Sequence, residues 1–359
     1  MDGGCEEVVF VHDPPTGLRA IVAIHSTALG PSLGGTRFFP FRTEDDAIAD
    51  VVRLARAMTF KAAAAGLDQG GGKAVIIGDP RTDKTEELLR AYGRFVETLG
   101  GRYVTAEDIG TSQADMDVIR TETRFVTGVS PSLGGSGDPS VMTAYGVFLA
   151  IRASLEEAMG EASLAGRRVA VQGVGKVGSH LVKHLIDAGA KVVVSDVDEA
   201  AAGRLSAALG VDAIDPDKIH AEECDVFSPC AMGGVIGDRT IPDLRCRVVC
   251  GAANNQLERP EHAQALAAQG ILYAPDYVVN AGGVINISEE ARGYEADRAK
   301  ASVERIEGTL GRVFAAARDR GVTPLEAADG IARARIAGLP RLRGYWAPGD
   351  ATFVRSEPR

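Results

Sequence analysis

Two lysines beside a run of glycines have the residue types of a proton-transfer site. Lys73 directly follows the glycines 70–72, and Lys61 precedes it near the end of a largely apolar helical pattern. Two ammonium groups that face one cleft repel each other, and partial loss of solvent adds to the effect, so one amine releases its proton near neutral pH. That amine could act as a general base while the other lysine holds a substrate carboxylate. The glycines would let a substrate approach the backbone closely.

Asp108 is a candidate for a second proton-transfer group. It stands in the segment TAEDIG, residues 105–110, just after a predicted strand. Each of the three groups also has a structural alternative: a solvated strand end for Lys73, a lysine lying along the helix surface for Lys61, and a helix cap or turn for Asp108. Residue type and spacing alone leave these alternatives open.

The segment 168–196 has the pattern of a dinucleotide-binding unit, in which a buried strand, a helix and a second strand follow one another. The first turn carries a GxGxxG sequence formed by Gly173, Val174, Gly175, Lys176, Val177 and Gly178. These glycines permit a tight turn and close approach to a pyrophosphate, which the helix N-terminus attracts. Asp196, at the end of the second strand, would bind both ribose hydroxyls and repel a 2′-phosphate, which favours NAD over NADP. The alternative is an ordinary strand–helix turn in which Asp196 caps the next helix.

Strand and helix patterns alternate in the first third of the chain. We expect strands at 18–25, 74–77 and 102–105, a helix at 44–65 capped by Thr43 and closed by Gly66, and a helix from a cap at Thr82 or Asp83 to about Leu99. A segment rich in Gly, Ser and Pro, 128–137, then indicates a domain boundary.

The alternation resumes beyond this boundary and predicts a parallel, doubly wound sheet. We expect a helix at 140–159 and strands at 168–172, 191–195, 225–227, 247–250 and 271–273. Thr323 and Glu326 form a capping box that begins a helix to about Ile336, and the tail is expected to return to the first domain. The predicted fold is α/β with two domains about a cleft: an N-terminal α/β substrate domain, 1–135 plus 324–359, and a doubly wound Rossmann NAD-binding domain, 136–323.

Composition and charge argue against several classes of protein. The net charge is −10 over 359 residues, which does not suit a surface for nucleic acid or anionic membranes. No apolar run has the length of a membrane span and the first residues do not resemble a secretory signal, so we expect a cytoplasmic protein without nucleic-acid or membrane partners. The five cysteines have no CxxC spacing and the six histidines are scattered, so no metal site is predicted.

Motifs spread in order over nearly the whole chain resemble those of the Glu/Leu/Phe/Val amino-acid dehydrogenase family, most of all its valine and leucine dehydrogenases. The motifs are LGGTR (33–37), MTFKAAAAGLDQGGGKAVI (58–76), TAEDIGT (105–111), GVGKVG (173–178), PCAMGG (229–234), GAANNQL (251–257) and YAPDYVVNAGGVIN (273–286). The resemblance implies NAD as the cofactor and two domains about a cleft. It also implies a homo-oligomer, with 1–135 plus 324–359 as the oligomerisation domain.

The resemblance also implies a role for each matching residue. Lys73 would activate water as general base, Lys61 would bind the substrate α-carboxylate, and Asp108 would carry protons to and from the amino group. Asn255 would lie beside the substrate and the nicotinamide ribose. The other implied cofactor contacts are Thr143 at the nicotinamide amide, Asp196 at the ribose, the GxGxxG residues, and Ala231, Met232, Ala253, Asn254 and Asn280.

The implied reaction is the reversible oxidative deamination of an L-amino acid. NAD accepts a hydride from Cα, water activated by Lys73 attacks the resulting iminium carbon, and Asp108 helps to protonate the departing amine. The products are the 2-oxo acid, ammonia and NADH.

Five positions that match the family's side-chain pocket favour a branched-chain or other apolar amino acid: Leu33, Gly34, Ala106, Val284 and Ile287. Leu33 is apolar where glutamate enzymes place a lysine, and Ala106 is larger than the glycine that phenylalanine enzymes tend to carry. Ile287 is one methylene larger than the valine usual in leucine enzymes, and a methylene contributes roughly 1–3 kcal/mol of discrimination. We therefore expect valine first and leucine next, with phenylalanine as the main alternative.

Two other classes of function compete with this interpretation. A non-catalytic NAD-sensing protein could share the fold, because fold alone does not determine function, but it would not need Lys61, Lys73 and Asp108 together. An NAD-dependent 2-hydroxyacid or imine reductase would not need the GGGK and TAED segments.

Overall fold

The computed structural model describes residues 4–338, which form two compact units. Of the described residues, the first unit contains 4–138, 285–299 and 332–338, and the second contains 139–284 and 300–331. The end of the predicted C-terminal tail, 339–359, lies outside the described residues. Within 4–338, none of the helices is both long and apolar enough to cross a membrane.

A five-stranded mixed sheet forms the centre of the first unit. Its strands are β1 (Glu7–Asp13), β2 (Leu18–Ser26), β3 (Ser32–Phe39), β4 (Gly70–Ile77) and β5 (Tyr103–Glu107), and its N-terminal helices are α1 (Glu44–Ala64), α2 (Glu86–Thr98) and α3 (Gln113–Arg120). The strand order is β1-β2-β4-β3-β5. β1 and β4 are antiparallel to β2, whereas β4 and β5 are parallel to β3. The parallel trio β4-β3-β5 brings three strand ends to one edge of the sheet.

Helices cover both faces of this sheet. On one face, Val51 and Ala55 of α1 pack against Val75 of β4. On the other face, the fully buried Tyr92 of α2 has its hydroxyl 2.6 Å from Thr36 Oγ1 of β3. Since side chains alternate along a strand, the residues on either side of Thr36 point toward α1.

The second unit contains a six-stranded sheet in which every pairing is parallel. Its strands are β6 (Arg168–Gln172), β7 (Lys191–Ser195), β8 (Asp212–Ala213), β9 (Val226–Pro229), β10 (Val248–Val249) and β11 (Leu272–Tyr273). In the order β8-β7-β6-β9-β10-β11, the chain first builds outward from β6 and then crosses to its other side at β9. This is the strand order of dinucleotide-binding sheets, so the predicted α/β fold with a Rossmann-type domain is confirmed.

Several helices accompany this sheet. They are α4 (Ser140–Met159), α5 (Lys176–Asp187), α6 (Glu199–Leu209), α7 (His262–Ala268) and α8 (Asp276–Val279), followed by α9 (Gly282–Ser288), α10 (Ala296–Arg320) and α11 (Pro324–Gly338), which contribute residues to both units. On α11, Arg335 donates hydrogen bonds to Gly66 O (3.1 Å) and Asp68 Oδ1 (2.9 Å). The described part of the C-terminal tail therefore contacts the segment that follows α1.

One predicted helix cap is wrong. Thr85, and not Thr82 or Asp83, caps α2, because its hydroxyl accepts a hydrogen bond from Leu88 N (3.2 Å). Asp83 instead accepts hydrogen bonds from Asp79 N and from the Thr82 hydroxyl, both at 2.8 Å. Thr82 and Asp83 thus take part in the hydrogen bonds of a turn that precedes the helix.

Candidate active site

An ion-paired cluster lies on the side of the first unit's sheet that faces α1. Lys73 Nζ is 2.6 Å from Asp108 Oδ2, and Arg37 Nε is 3.3 Å from the same oxygen. Only 8% of the Lys73 side chain and 23% of the Asp108 side chain are exposed. The structure thus brings together the two residues that the sequence predicts for proton transfer.

The register of the parallel strands explains this meeting. Leu33 of β3 pairs with Gly71 of β4, and Gly35 pairs with Ala106 of β5. Residues two apart on a strand share a face of the sheet. Lys73, two residues after Gly71, therefore lies on the α1 side and beside Gly35. Asp108 follows two residues after Ala106, beyond the end of β5.

Charge keeps Asp108 ionised despite its burial. Burial raises the pKa of the Asp108 carboxyl group, but the Lys73 ammonium and the Arg37 guanidinium together outweigh burial, and the resulting pKa lies below the usual value. Asp108 is therefore a carboxylate at neutral pH and can accept a proton.

The turn after β5 holds Asp108 by its backbone. Asp108 N donates to Thr111 Oγ1 (2.9 Å), and Thr111 N donates to Asp108 O (2.9 Å). The cap of α3 is Ser112, which forms a capping box with Asp115. Because other groups make the turn and the cap, the Asp108 side chain is left to pair with Lys73.

The glycines 70–72 are required by the packing around β4. A Cβ on Gly70 would lie 1.9 Å from Ser26 O, a Cβ on Gly71 would lie 2.0 Å from Thr59 N, and a Cβ on Gly72 would lie 2.8 Å from Tyr103 Cδ2. The protein's own atoms occupy the space that side chains would need. This space is required for close packing of β4, and the approach of a substrate to the glycine backbone stays a prediction.

Lys61 is positioned by the same packing. It lies in the last turn of α1, two residues after Thr59. Since Gly71 has no side chain, this end of α1 rests directly on β4, the strand that carries Lys73. The binding of a substrate carboxylate by Lys61 stays a prediction.

The five predicted pocket residues fall on three elements. Leu33 and Gly34 lie on β3, Ala106 lies on β5, and Val284 and Ile287 lie on α9. All five are buried. The Gly34 carbonyl accepts a hydrogen bond from the Tyr103 hydroxyl (2.7 Å), so this residue also joins β3 to β5.

The predicted dinucleotide site lies in the second unit, at the point where the strand order reverses. β6 and β9 are neighbours there, and the loops that follow them lead in opposite directions along the sheet. Gly173 after β6 touches the loop after β9, because a Cβ on Gly173 would lie 2.6 Å from Ala231 Cβ. Open α/β sheets bind ligands at such a reversal point.

The GxGxxG loop fits a pyrophosphate. Gly173 has φ +97°, and a Cβ on Gly178 would lie 1.9 Å from Gly173 O, so these two glycines are required by the tight turn. Gly175 is different, because nothing among the described residues lies within 4 Å of its Cβ position. It is also the N-cap of α5, and no described side chain caps that helix. A helix N-terminus beside open space suits a phosphate.

Asp196 closes this loop from the second strand. Its Oδ2 accepts a hydrogen bond from Val174 N (2.8 Å) and its Oδ1 accepts one from Asp198 N (3.0 Å). The cap of α6 is Asp198, whose side chain accepts from Ala201 N. The alternative in which Asp196 is merely the next helix cap is therefore wrong.

The AANN loop after β10 contains an unusual backbone conformation. Asn255 has φ +52°, and among the described residues it is the only non-glycine residue with a positive φ. Such conformations cost energy and cluster at functional sites. Asn280 Nδ2 donates to Ala252 O (3.0 Å) and to Asn254 Oδ1 (2.8 Å), which fixes the loop. Asn280 thus has a positioning role that the sequence did not predict.

The remaining predicted cofactor residues surround this loop or begin α4. Ala231, Met232 and Asn254 are exposed, whereas Ala253 is buried. Thr143, in the first turn of α4, donates a hydrogen bond from its hydroxyl to Pro139 O (2.9 Å). Contacts of these residues with a cofactor stay predictions.

Sequence reasoning gave Arg37 no role, although it is the last residue of the LGGTR motif. The available signal was its spacing: Arg37 lies four residues after Leu33, and residues four apart on a strand share a face. β3 was not predicted, however, so this rule could not be applied.

A group of three potential metal ligands occurs elsewhere in the described chain: Asp238, Glu258 and His262. The Arg259 guanidinium lies 2.7 Å from Asp238 Oδ2 and 3.1 Å from His262 Nε2. These contacts make the group a paired polar cluster.

Comparisons with known proteins cover almost the whole chain. The Glu/Leu/Phe/Val dehydrogenase dimerisation domain matches residues 5–125, and the Glutamate/Leucine/Phenylalanine/Valine dehydrogenase model matches 134–212 and 194–344. The chain is 51% identical to a leucine dehydrogenase of Geobacillus stearothermophilus, with 94% of this chain and 92% of the relative covered. It is 54% identical to a valine dehydrogenase of Streptomyces virginiae, with 93% and 94% covered. The crystal structure of an L-tryptophan dehydrogenase from Nostoc punctiforme matches with a TM-score of 0.83 and 42% identity, covering 95% of this chain and 98% of that one.

Proposed function

The chain belongs to the Glu/Leu/Phe/Val dehydrogenase family, and we propose that it catalyses the NAD-dependent, reversible oxidative deamination of branched-chain or other apolar L-amino acids. The products are the 2-oxo acid, ammonia and NADH. The observation that carries the proposal is the largely buried ion pair of Lys73 and Asp108. Proton transfer to and from water and an amine requires a base and a carboxylate that lie close together.

Lys73 and Asp108 divide the proton transfers. When NAD is bound, it supplies the acceptor for the hydride of the substrate Cα. Asp108 first takes a proton from the substrate ammonium group, Lys73 takes a proton from water as the water attacks the iminium carbon, and Asp108 then returns its proton to the departing amine. Asp108 also stabilises positive charge on the nitrogen, which develops in both directions of the reaction. Lys61, at the end of α1, binds the substrate α-carboxylate.

NAD rather than NADP is the proposed cofactor because of Asp196. Its carboxylate stands at the end of β7 and already accepts from Val174 N in the GxGxxG loop. A 2′-phosphate would bring a second negative charge to this position, whereas a free ribose diol can donate hydrogen bonds to it. The open N-terminus of α5 would hold the pyrophosphate.

An aliphatic amino acid is the proposed substrate. Leu33, Ala106, Val284 and Ile287 are buried and apolar, so none of them could pair with a charged substrate side chain. Two of the most similar relatives are a leucine and a valine dehydrogenase. The ratio of kcat/KM for valine, leucine, isoleucine and phenylalanine on one preparation tests the choice, and a clear lead for phenylalanine would contradict it.

We propose a homo-oligomer assembled through the first unit. β1 is an edge strand, and its Val8 and Phe10 side chains are exposed. An exposed apolar edge strand is a surface that a second copy can cover. The family model over this region is described as a dimerisation domain. Sedimentation of Phe10→Glu against the unchanged chain tests the proposal.

The decisive experiment measures NADH oxidation with a 2-oxo acid in the presence and absence of ammonia. Strict dependence on ammonia is expected; oxidation without it would indicate a hydroxyacid dehydrogenase, and no oxidation at all would indicate a sensing protein.

Lys73→Ala should abolish turnover and leave NADH binding nearly intact. Lys218→Ala, at an exposed lysine of the second unit, is the control and should keep the full rate. Retention of most of the kcat by Lys73→Ala would refute its assignment.

A further inference from the structure

Arg37 links the proton-transfer carboxylate to a second carboxylate on α1. Its Nε lies 3.3 Å from Asp108 Oδ2, and its Nη1 lies 2.7 Å from Asp50 Oδ2. Only 19% of the Arg37 side chain and 15% of the Asp50 side chain are exposed. A guanidinium held at both ends in this way has little freedom to move away from Asp108.

The backbone around Arg37 is built for this contact. Gly35, two residues earlier on β3, has no Cβ; a Cβ there would lie 2.9 Å from Asp108 Cβ and 2.5 Å from Glu107 O. The missing side chain lets the end of β5 lie close to β3. Asp108 therefore comes within reach of a side chain that points to the same face of the sheet.

Other charged groups lie on the elements near Asp108. They are Arg53, which lies 2.6 Å from Asp50 Oδ1; Lys84, which donates to Gly110 O and pairs with Asp115; Glu107, the neighbour of Asp108; and Lys61 at the end of α1. Lys73 and Arg37 are two cations in direct contact with the Asp108 carboxylate. The two cations differ in one respect, because a lysine can lose its proton in a protein and an arginine cannot.

This difference matters during the reaction. Lys73 must be neutral before it can take a proton from water, and in that state it no longer neutralises Asp108. With Lys73 as its only partner, the carboxylate would then tend to capture the proton itself. Arg37 stays charged at every stage and donates to the oxygen that Lys73 also contacts.

We propose that Arg37 is a positioning residue, which keeps Asp108 ionised and oriented while Lys73 is neutral, so that Asp108 can take the proton of the substrate ammonium group. The proposal rests on the proposed function for the roles of Lys73 and Asp108. It also accounts for Asp50, which holds the far side of the guanidinium.

The test compares Arg37→Gln, Arg37→Lys and, as a matched control, Arg53→Gln. Arg53 is 58% exposed and pairs with Asp50. For Arg37→Gln we expect kcat to fall about 10- to 100-fold, the loss typical of a hydrogen bond to a charged group. The acidic limb of kcat/KM should move to higher pH, since loss of the positive charge raises the pKa of Asp108. Arg37→Lys should return the acidic limb to its original pH but restore only part of kcat. Arg53→Gln should change neither the limb nor kcat.

A titration without turnover separates this inference from the proposed function. The infrared carboxylate band that is present in the unchanged chain and absent in Asp108→Asn reports the protonation of Asp108. The same comparison, with and without Asp108→Asn, is made in the Arg37→Gln background. A higher midpoint in Arg37→Gln supports the proposal even if the chain lacks amino-acid dehydrogenase activity. An unchanged midpoint, or a loss of thermal stability alone with an unchanged pH profile, would overturn it. If Arg37→Gln does not fold, Arg37→Lys is the test. A kcat equal to that of the unchanged chain would show that a guanidinium bound to both Asp108 and Asp50 is not needed.

Discussion

Gly71→Ala should disturb both the stability and the substrate site of the first unit. The added Cβ would lie 2.0 Å from Thr59 N, 2.3 Å from Thr59 Oγ1 and 2.5 Å from Thr59 Cα. Ordinary contact begins near 3.4 Å, so helix and strand must separate by about 1.4 Å. The obstructing atoms belong largely to the backbone of a 21-residue helix that is packed on the sheet, so no flexible side chain can move aside.

Overpacking of a well-filled core typically costs about 1–3 kcal/mol, and a backbone obstruction places this substitution at the upper end. We therefore expect a loss of about 3 kcal/mol in the free energy of unfolding, measured by urea denaturation followed by circular dichroism. Because Lys61 lies one half-turn after Thr59, the KM for the amino acid should also rise, while the Kd for NADH should stay unchanged.

The control is Gly203→Ala on α6, where nothing among the described residues lies within 4 Å of the added Cβ. This change should stabilise the protein by about 0.5–1 kcal/mol, because alanine favours the helix. A loss below about 1 kcal/mol in Gly71→Ala, with an unchanged KM, would refute the reasoning about the glycine run.

Two further predictions concern the second unit and the thiols. Asp196→Ala should weaken NADH binding about 10- to 100-fold and NADPH binding much less, as measured by fluorescence titration; equal losses would contradict its role at the ribose. Burial raises the pKa of Cys224 to about 12 and that of Cys246 to about 11, so at pH 8 both remain protonated. They should react with a disulfide reagent only after unfolding, whereas the part-exposed Cys5 should react first; loss of the fast phase in Cys5→Ser is the check.

The elements that were predicted correctly carry strong local signals. α4 and the strands β6 and β7 have the predicted bounds, because a regular apolar pattern meets clear ends there. Thr43 caps α1 as predicted, since a threonine before three acidic residues is a local capping signal. The dinucleotide fold follows from the same kind of signal repeated five times along the chain.

The elements that were missed depend on distant partners. β3, with the sequence SLGGTRFF, contains two central glycines and lacks the alternation of a half-buried strand; it is stable because β4 and β5 pair with it on both sides. Without β3, neither the face of Arg37 nor its contact with Asp108 could be predicted. α10 is a different case, because its buried Val303, Ile306 and Leu310 have helical spacing that was present in the sequence.

The glycine motifs show that a run of glycines does not by itself indicate whether a ligand or the protein's own backbone lies against them. Gly71 and Gly35 are packed against Thr59 and Asp108 of the protein itself, and Gly173 is packed against Ala231. Of the three glycines in the GxGxxG loop, only Gly175 leaves space among the described residues. In most of these positions glycine therefore acts indirectly: it lets two pieces of backbone come close, and that approach determines where a lysine, a carboxylate or an N–H group is held. The chemistry of the candidate site depends on this packing as much as on the charged residues that perform it.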